Sequence, residues 1–208
     1  MAEPDIDPRK TALIVVDMQN AFIRDEGSML KRGLNNELLK PTVEPVKRLV
    51  AIARRVGMPI VFTRTCLRPD YKDAGLRKER FSNANYKALA RGTWDVELID
   101  DLVPAPEDHV VDKPRPSAFY NTDLEVILRG EAVDTLIVCG VTTEICVEST
   151  IRDAYFRDYA ILVPTDAVAA FDVERHQGAL KIIEYGFGTL VTTEQIEAAL
   201  ATAAKSPS

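Results

Sequence analysis

The sequence predicts an α/β fold, a three-layer α/β/α sandwich in which a mostly parallel six-stranded sheet lies between helices. Three observations predict it. Short apolar, β-rich runs alternate with longer amphipathic ones along the chain, the pattern of strand–helix–strand crossovers. The short runs are apolar throughout instead of alternating, which suits strands buried on both faces of a parallel sheet. The chain has 208 residues, 46% hydrophobic and 28% charged, enough apolar mass for one domain spanning 1–208.

The elements follow in order. TALIVVD (11–17) is the first strand, and residues 41–57 form a helix with apolar positions at Val46, Leu49, Val50 and Ala53 and a C-capping Gly57. PIVFTR (59–64) is the second strand. From Cys66 to about Leu102 the pattern lapses into charge, aromatics and amides. So long an excursion inside a compact domain reads either as a solvated loop or as a lid or oligomer contact. Strands resume at 109–113, 135–140, 160–164 and 188–193. Helices are predicted at 122–130, 144–158, 173–186 and 193–204, with Gly130 and Gly186 where helix stops belong. The KSPS tail reads as frayed.

Twenty-six basic against 32 acidic residues give a net charge of −6, which argues against a nucleic-acid surface, since that needs a basic stripe. No apolar run is long enough for a membrane span, and the first comes too late and too short for a signal peptide. Three cysteines, Cys66, Cys139 and Cys146, form an odd count without CxxC spacing. Free thiols in a reducing, cytoplasmic compartment are expected.

In open parallel sheets, ligands bind at the carboxyl ends of the strands. Asp17 ends the first strand and Lys113 the third. Gly140 ends the fourth, followed by a short turn and Cys146 in the opening of the next helix. One carboxylate, one ammonium and one thiol thus converge on one sheet edge. With Thr143 as N-cap, Cys146 takes the third helical position, where the helix end and a cation lower a thiol's pKa and free N–H groups can hold an oxyanion. Asp17 would accept the thiol proton and return it to a leaving amine, while Lys113 keeps Asp17 anionic. Taken singly, each has an ordinary reading: a small buried residue, a turn former, a surface charge. Cys139 lies inside a strand and reads as core, and Cys66 could line a pocket but lacks a helix turn to activate it. His109 and His176 are poorly placed for a Cys–His or Ser–His pair. A non-catalytic binding protein and a redox-sensing thiol protein are the competing readings from other classes.

Three motifs, LIVVDMQNAF (13–22), DKPRPSAFYNTDLEVILR (112–129) and VCGVTTEICVESTIRDAYFRDY (138–159), resemble the isochorismatase-like cysteine hydrolases over nearly the whole chain. The resemblance implies a Rossmann-like fold, a catalytic triad of Asp17, Lys113 and Cys146, and a non-proline cis peptide at Val141–Thr142. That turn would aim N–H groups of the Thr142-to-Cys146 segment at the oxyanion. It also implies a homodimer or homotetramer. Nicotinamidases of this superfamily carry an Asp-x-His metal motif after the second strand. TRTCLRPDY (63–71) has no histidine there, so neither a metal nor another cofactor is expected. Isochorismatases proper lack the cysteine. What remains resembles the branch of N-carbamoylsarcosine amidase-like and ureidoacrylate amidohydrolase-like enzymes, with biuret- and triuret-type hydrolases as neighbours. The expected substrate is a small amide, carbamoyl or ureido compound, cleaved at C–N. By position, Phe22 would wall the pocket or serve as a core residue, Arg64 would pair a substrate carboxylate or a lid acid, and Tyr120 and Asn121 would hydrogen-bond a ureido group. Gln19 would order the Asp17 loop.

Overall fold

A computed structural model of the chain describes residues 4–83 and 86–203. Residues 84–85 of the excursion, Ala204 of the last predicted helix and the KSPS tail lie outside the described residues. In chain order the strands are β1 (Thr11–Val16), β2 (Ile60–Thr65), β3 (Ser82–Asn83), β4 (Tyr86–Lys87), β5 (His109–Lys113), β6 (Thr135–Val141), β7 (Ala160–Pro164), β8 (Val168–Ala169) and β9 (Thr189–Val191). The helices are α1 (Asn20–Ile23), α2 (Ser28–Lys31), α3 (Val43–Arg55), α4 (Lys78–Phe81), α5 (Leu124–Gly130), α6 (Glu148–Tyr155), α7 (Val173–Gly186) and α8 (Thr193–Ala203).

The main sheet runs β5-β2-β1-β6-β7-β9, every pair parallel. It has seven strands, one more than the sequence pattern predicts. β7 ends at Pro164, so the last residues of β6 need another partner. β8 supplies it, pairing Gly140 with Val168 and Val141 with Ala169. A two-residue strand leaves no periodicity to read.

Every residue of β1 is buried, and its side chains alternate between two cores, as the pleat requires. Leu13 and Val15 join the cluster with Val46, Leu49, Val50, Ile52 and Ala53 of α3 and Ile196 and Leu200 of α8. Ala12, Ile14 and Val16 join Leu124 and Leu128 of α5, Ile151 and Ala154 of α6 and Ile183 of α7. The helices therefore form two layers. Each fully buried aliphatic side chain contributes about 1.5–3 kcal/mol.

The excursion is packed. Leu67, Tyr71, Ala74 and Ala90 make a small core of their own, and the Tyr71 hydroxyl donates to the Ala88 carbonyl at 3.0 Å. Asp95 accepts from the Ser28 N–H at 2.9 Å, the Ser28 hydroxyl at 2.7 Å and the Leu89 N–H at 2.6 Å. Gln19 and Leu98 form an isolated antiparallel bridge. The segment is thereby stitched to the chain that follows β1. Among the described residues no helix is long and apolar enough to cross a membrane.

Candidate active site

The order in which strands are added reverses between β1 and β6: from β1 the chain moves out to β2 and β5, then returns to place β6 on the other side. This is the switch point at which open α/β sheets leave a crevice at their carboxyl ends. Asp17 leaves β1 there with φ +51°, a left-handed conformation that Asp tolerates better than most residues. Its N–H donates to the Thr63 carbonyl at 3.1 Å. β6 passes close alongside. Gly140 has φ +105° and pairs with Val16, and a Cβ on it would lie 2.1 Å from the Val16 carbonyl oxygen. Only glycine fits this contact.

Asp17 and Lys113 are both fully buried, with Nζ 2.7 Å from Oδ2. Two threonines from β2 complete the cluster. Thr65 Oγ1 donates to Asp17 Oδ2 at 2.8 Å and accepts from Lys113 Nζ at 2.9 Å. Thr63 Oγ1 donates to Asp17 Oδ1 at 3.0 Å, and Lys113 Nζ also reaches the Arg115 carbonyl at 3.3 Å. Burial by itself pushes the Lys113 ammonium down, but Asp17 and Cys146 beside it hold its pKa above the ordinary lysine value. The pair is fully hydrogen-bonded, the condition under which buried charges persist. Gln19 braces the β2 end: its amide donates to the Thr65 and Val96 carbonyls at 3.1 and 2.8 Å and accepts from the Thr65 N–H at 2.8 Å. It orders the Asp17 loop.

Cys146 faces this pair from the turn that follows β6. The Val141–Thr142 peptide is cis, and Thr143–Val147 forms a single π-helical turn ahead of α6, with the Val147 N–H donating to the Thr142 carbonyl at 3.1 Å. The cap is therefore Thr142, in extended conformation, and not Thr143. A π turn and an α turn share too much side-chain pattern over five residues to be told apart in sequence. Thr143 Oγ1 instead lies 2.9 Å from His176 Nδ1, tying the turn to α7. Behind Cys146, Thr150 Oγ1 donates to its carbonyl at 2.7 Å and accepts from the Ala118 N–H at 3.0 Å. The nucleophile turn and the chain after Lys113 are locked together through one hydroxyl.

Cys146 is a buried residue, 8% exposed. Its pKa is pushed up to about 12: burial raises it most, Lys113 pulls it down, and Asp17 raises it further. The sequence-based expectation of a lowered thiol pKa is thus reversed in the resting site. Desolvation outweighs the turn and the lysine. Cys146 lies beside a carboxylate placed to take its proton.

A cavity of about 650 Å³ opens above the sulfur, lined by Phe22, Met29, Thr65, Thr142, Glu144 and Cys146 among others. Phe22 and Phe171 wall one side with ring centroids 6.4 Å apart. Ala74, Gly75, Leu76 and Leu89 of the excursion form another wall, and Arg32, Arg115 and Arg175 also line the space. Three sequence-predicted contacts are corrected. The pleat that turns Thr63 and Thr65 toward Asp17 turns Arg64 away, and Arg64 pairs with Asp112 of β5 at 2.7 Å. Tyr120 is 52% exposed and does not line the cavity. Nor does Asn121, exposed with φ +53° in the turn leading to α5. The buried stretch Ser117–Phe119 precedes them, so the chain has already left the site. Thr63, Thr65, Arg115 and Thr150 carry no sequence signal beyond standing near strand or helix ends. Cys139 is wholly buried, and Cys66 is buried beside Arg91 and Asp112. Among the described residues no three His, Cys, Asp or Glu side chains gather as metal ligands would.

Residues 11–195 match the isochorismatase domain. The ureidoacrylate amidohydrolase RutB of Methylorubrum extorquens is 39% identical, the match covering 93% of this chain and 84% of that protein. A cysteine hydrolase from Pseudomonas syringae pv. phaseolicola superposes with a TM-score of 0.87 at 34% identity, covering 98% of this chain and all of the other. The N-carbamoylsarcosine amidase of Thermoplasma acidophilum superposes with a TM-score of 0.73 at 30% identity, covering 89% of this chain and 97% of the other.

Proposed function

The chain belongs to the isochorismatase family, and on that premise we propose that it is a cysteine amidohydrolase that cleaves a C–N bond of a small carbamoyl or ureido compound through a covalent intermediate. The observation that carries this reading is a thiol on the cavity floor against a buried, fully hydrogen-bonded carboxylate–ammonium pair.

Asp17 takes the proton from Cys146 as the sulfur attacks the substrate carbonyl carbon. The C–S bond forms as the carbonyl π pair moves onto oxygen, where N–H groups of the Thr142-to-Cys146 segment stabilise it. Collapse expels the amine, which leaves with the proton held by Asp17. Water then gives a proton to Asp17 and attacks the thioester or thiocarbamate, and the sulfur departs and recovers its proton. A thiocarbamate yields carbamic acid, which decomposes to ammonia and carbon dioxide. Lys113 keeps Asp17 anionic between these transfers, and the threonine hydroxyls fix its orientation.

The ureidoacrylate named for the bacterial relative pairs a ureido group with a carboxylate. Arg32 and Arg175 on the cavity lining support a substrate of that kind, a ureido acid. Three buried free thiols support a reducing, cytoplasmic compartment. The exposed Tyr155 and Phe156, packed edge-on with Phe187, support a homodimer or homotetramer.

The test is ammonia release from a panel of ureido, carbamoyl and plain carboxamide compounds, with Cys146→Ala as control. Turnover of ureido acids, abolished in the folded variant, together with a substrate-derived mass adduct on Cys146, is the expected result. Undiminished turnover by Cys146→Ala would end the covalent mechanism.

A further inference from the structure

The cavity is bounded on one side by the turn after Lys113 and on another by the excursion residues Ala74, Gly75 and Leu76. Asp73 and Arg115 stand 42 residues apart in the chain, yet one side chain spans the two walls. Arg115 Nη1 donates to the Asp73 carbonyl at 2.5 Å and to the Pro114 carbonyl at 2.8 Å. At its other end the Arg115 backbone carbonyl accepts from Lys113 Nζ at 3.3 Å. Gly75 has φ +58°, and a Cβ there would sit 2.8 Å from Arg115 Nη2, so the guanidinium lies close against this glycine. Among the described residues, the wall's other side-chain hydrogen bonds are internal to the excursion: the Arg68 N–H donates to the Asp73 carboxylate at 3.0 Å, and the Tyr71 hydroxyl donates to Ala88. Leu76 beside it is fully exposed and contributes no buried anchor.

We infer that Arg115 is a positioning residue that fastens the excursion wall of the cavity to the Lys113 turn, setting substrate affinity through the placement of Asp73–Leu76. The planar fork is suited to such a bridge, since one nitrogen joins two carbonyls while the guanidinium packs against a residue with no side chain. Losing it frees the wall but leaves the bond from Lys113 Nζ to the Arg115 carbonyl in place. Binding then suffers more than chemistry.

The kinetic arm rests on the amidohydrolase reading; the digestion arm does not. In Arg115→Ala, KM is expected to rise about tenfold or more, as for one lost charge-assisted hydrogen bond, and by more than kcat falls. Arg115→Lys restores part of the loss. Gly75→Ala displaces the guanidinium and gives the same direction of change. Combined with Arg115→Ala it adds little to KM, because the contact it disturbs is already gone. Limited tryptic cleavage at the exposed Lys72 and Lys78 is expected to accelerate about tenfold in Arg115→Ala, on the same argument of a local opening, with the melting temperature near that of the parent. Cleavage at the parent rate would overturn the inference whether or not a substrate is known, as would fully additive effects of the two substitutions. Turnover of nothing on the panel, with faster cleavage in Arg115→Ala, would retire the assigned chemistry and leave the strap standing.

Discussion

At the scale of single residues, the site is governed by who holds the proton. Asp17 opposes ionisation of Cys146, and Lys113 favours it. Replacing Asp17 by Asn removes the base and also the opposing charge, leaving Lys113 to pair with sulfur. Asp17→Asn should therefore lose hydrolysis while its Cys146 reacts faster with iodoacetamide near neutral pH than in the parent. Alkylation at the parent rate or slower would mean that Asp17 does not set the thiol's charge. Glu144, on the same turn, presents a second titration. Its Oε2 is buried with no hydrogen-bond partner among the described residues, and burial raises its pKa above the ordinary glutamate value of 4.5, against the pull of its own backbone N–H, Thr142 and Arg175. The folded chain then retains a proton that the unfolded chain releases. Stability must fall as pH rises from 4.5 through the raised value. Melting temperatures of Glu144→Gln, followed upward from about pH 4, should lack this part of the decline; an unchanged slope would locate the titration elsewhere.

At the scale of elements, the close approach of β6 to the end of β1 fixes how near Cys146 comes to Asp17. Gly140 is the point of contact. Gly140→Ala forces either the strand pair apart or the φ of +105° into a conformation that alanine resists. The expected cost is about 3 kcal/mol or more, read as a lowered denaturation midpoint, with activity reduced even where the fold survives. A midpoint equal to that of the parent would mean the strands can separate there freely. The elements also show where a sequence pattern stops being informative. Helix α3 is legible because Val46, Leu49, Val50 and Ala53 repeat at helical spacing and face one core. The π turn at Thr143–Val147 is not, since one turn carries too few side chains to reveal its period. β8 escapes because two residues have no pattern, and α1 and α2 because four residues barely complete a turn.

At the scale of the whole molecule, a parallel sheet covered on both faces leaves its carboxyl edge open, and the excursion closes part of that opening into a cavity. The order of strands and helices, and the strand ends carrying Asp17, Lys113 and the approach to Cys146, are readable from sequence alone. They rest on runs of apolar residues whose lengths and periods are local properties. The tertiary structure alone decided that Arg64 turns from the site toward Asp112, because facing depends on strand register. It also decided that Thr63 and Thr65 hold the carboxylate, that Arg115 crosses to Asp73, and that burial raises the Cys146 thiol. Each of these depends on burial and on contacts between segments far apart in the chain, and neither is encoded in the spacing of any one segment.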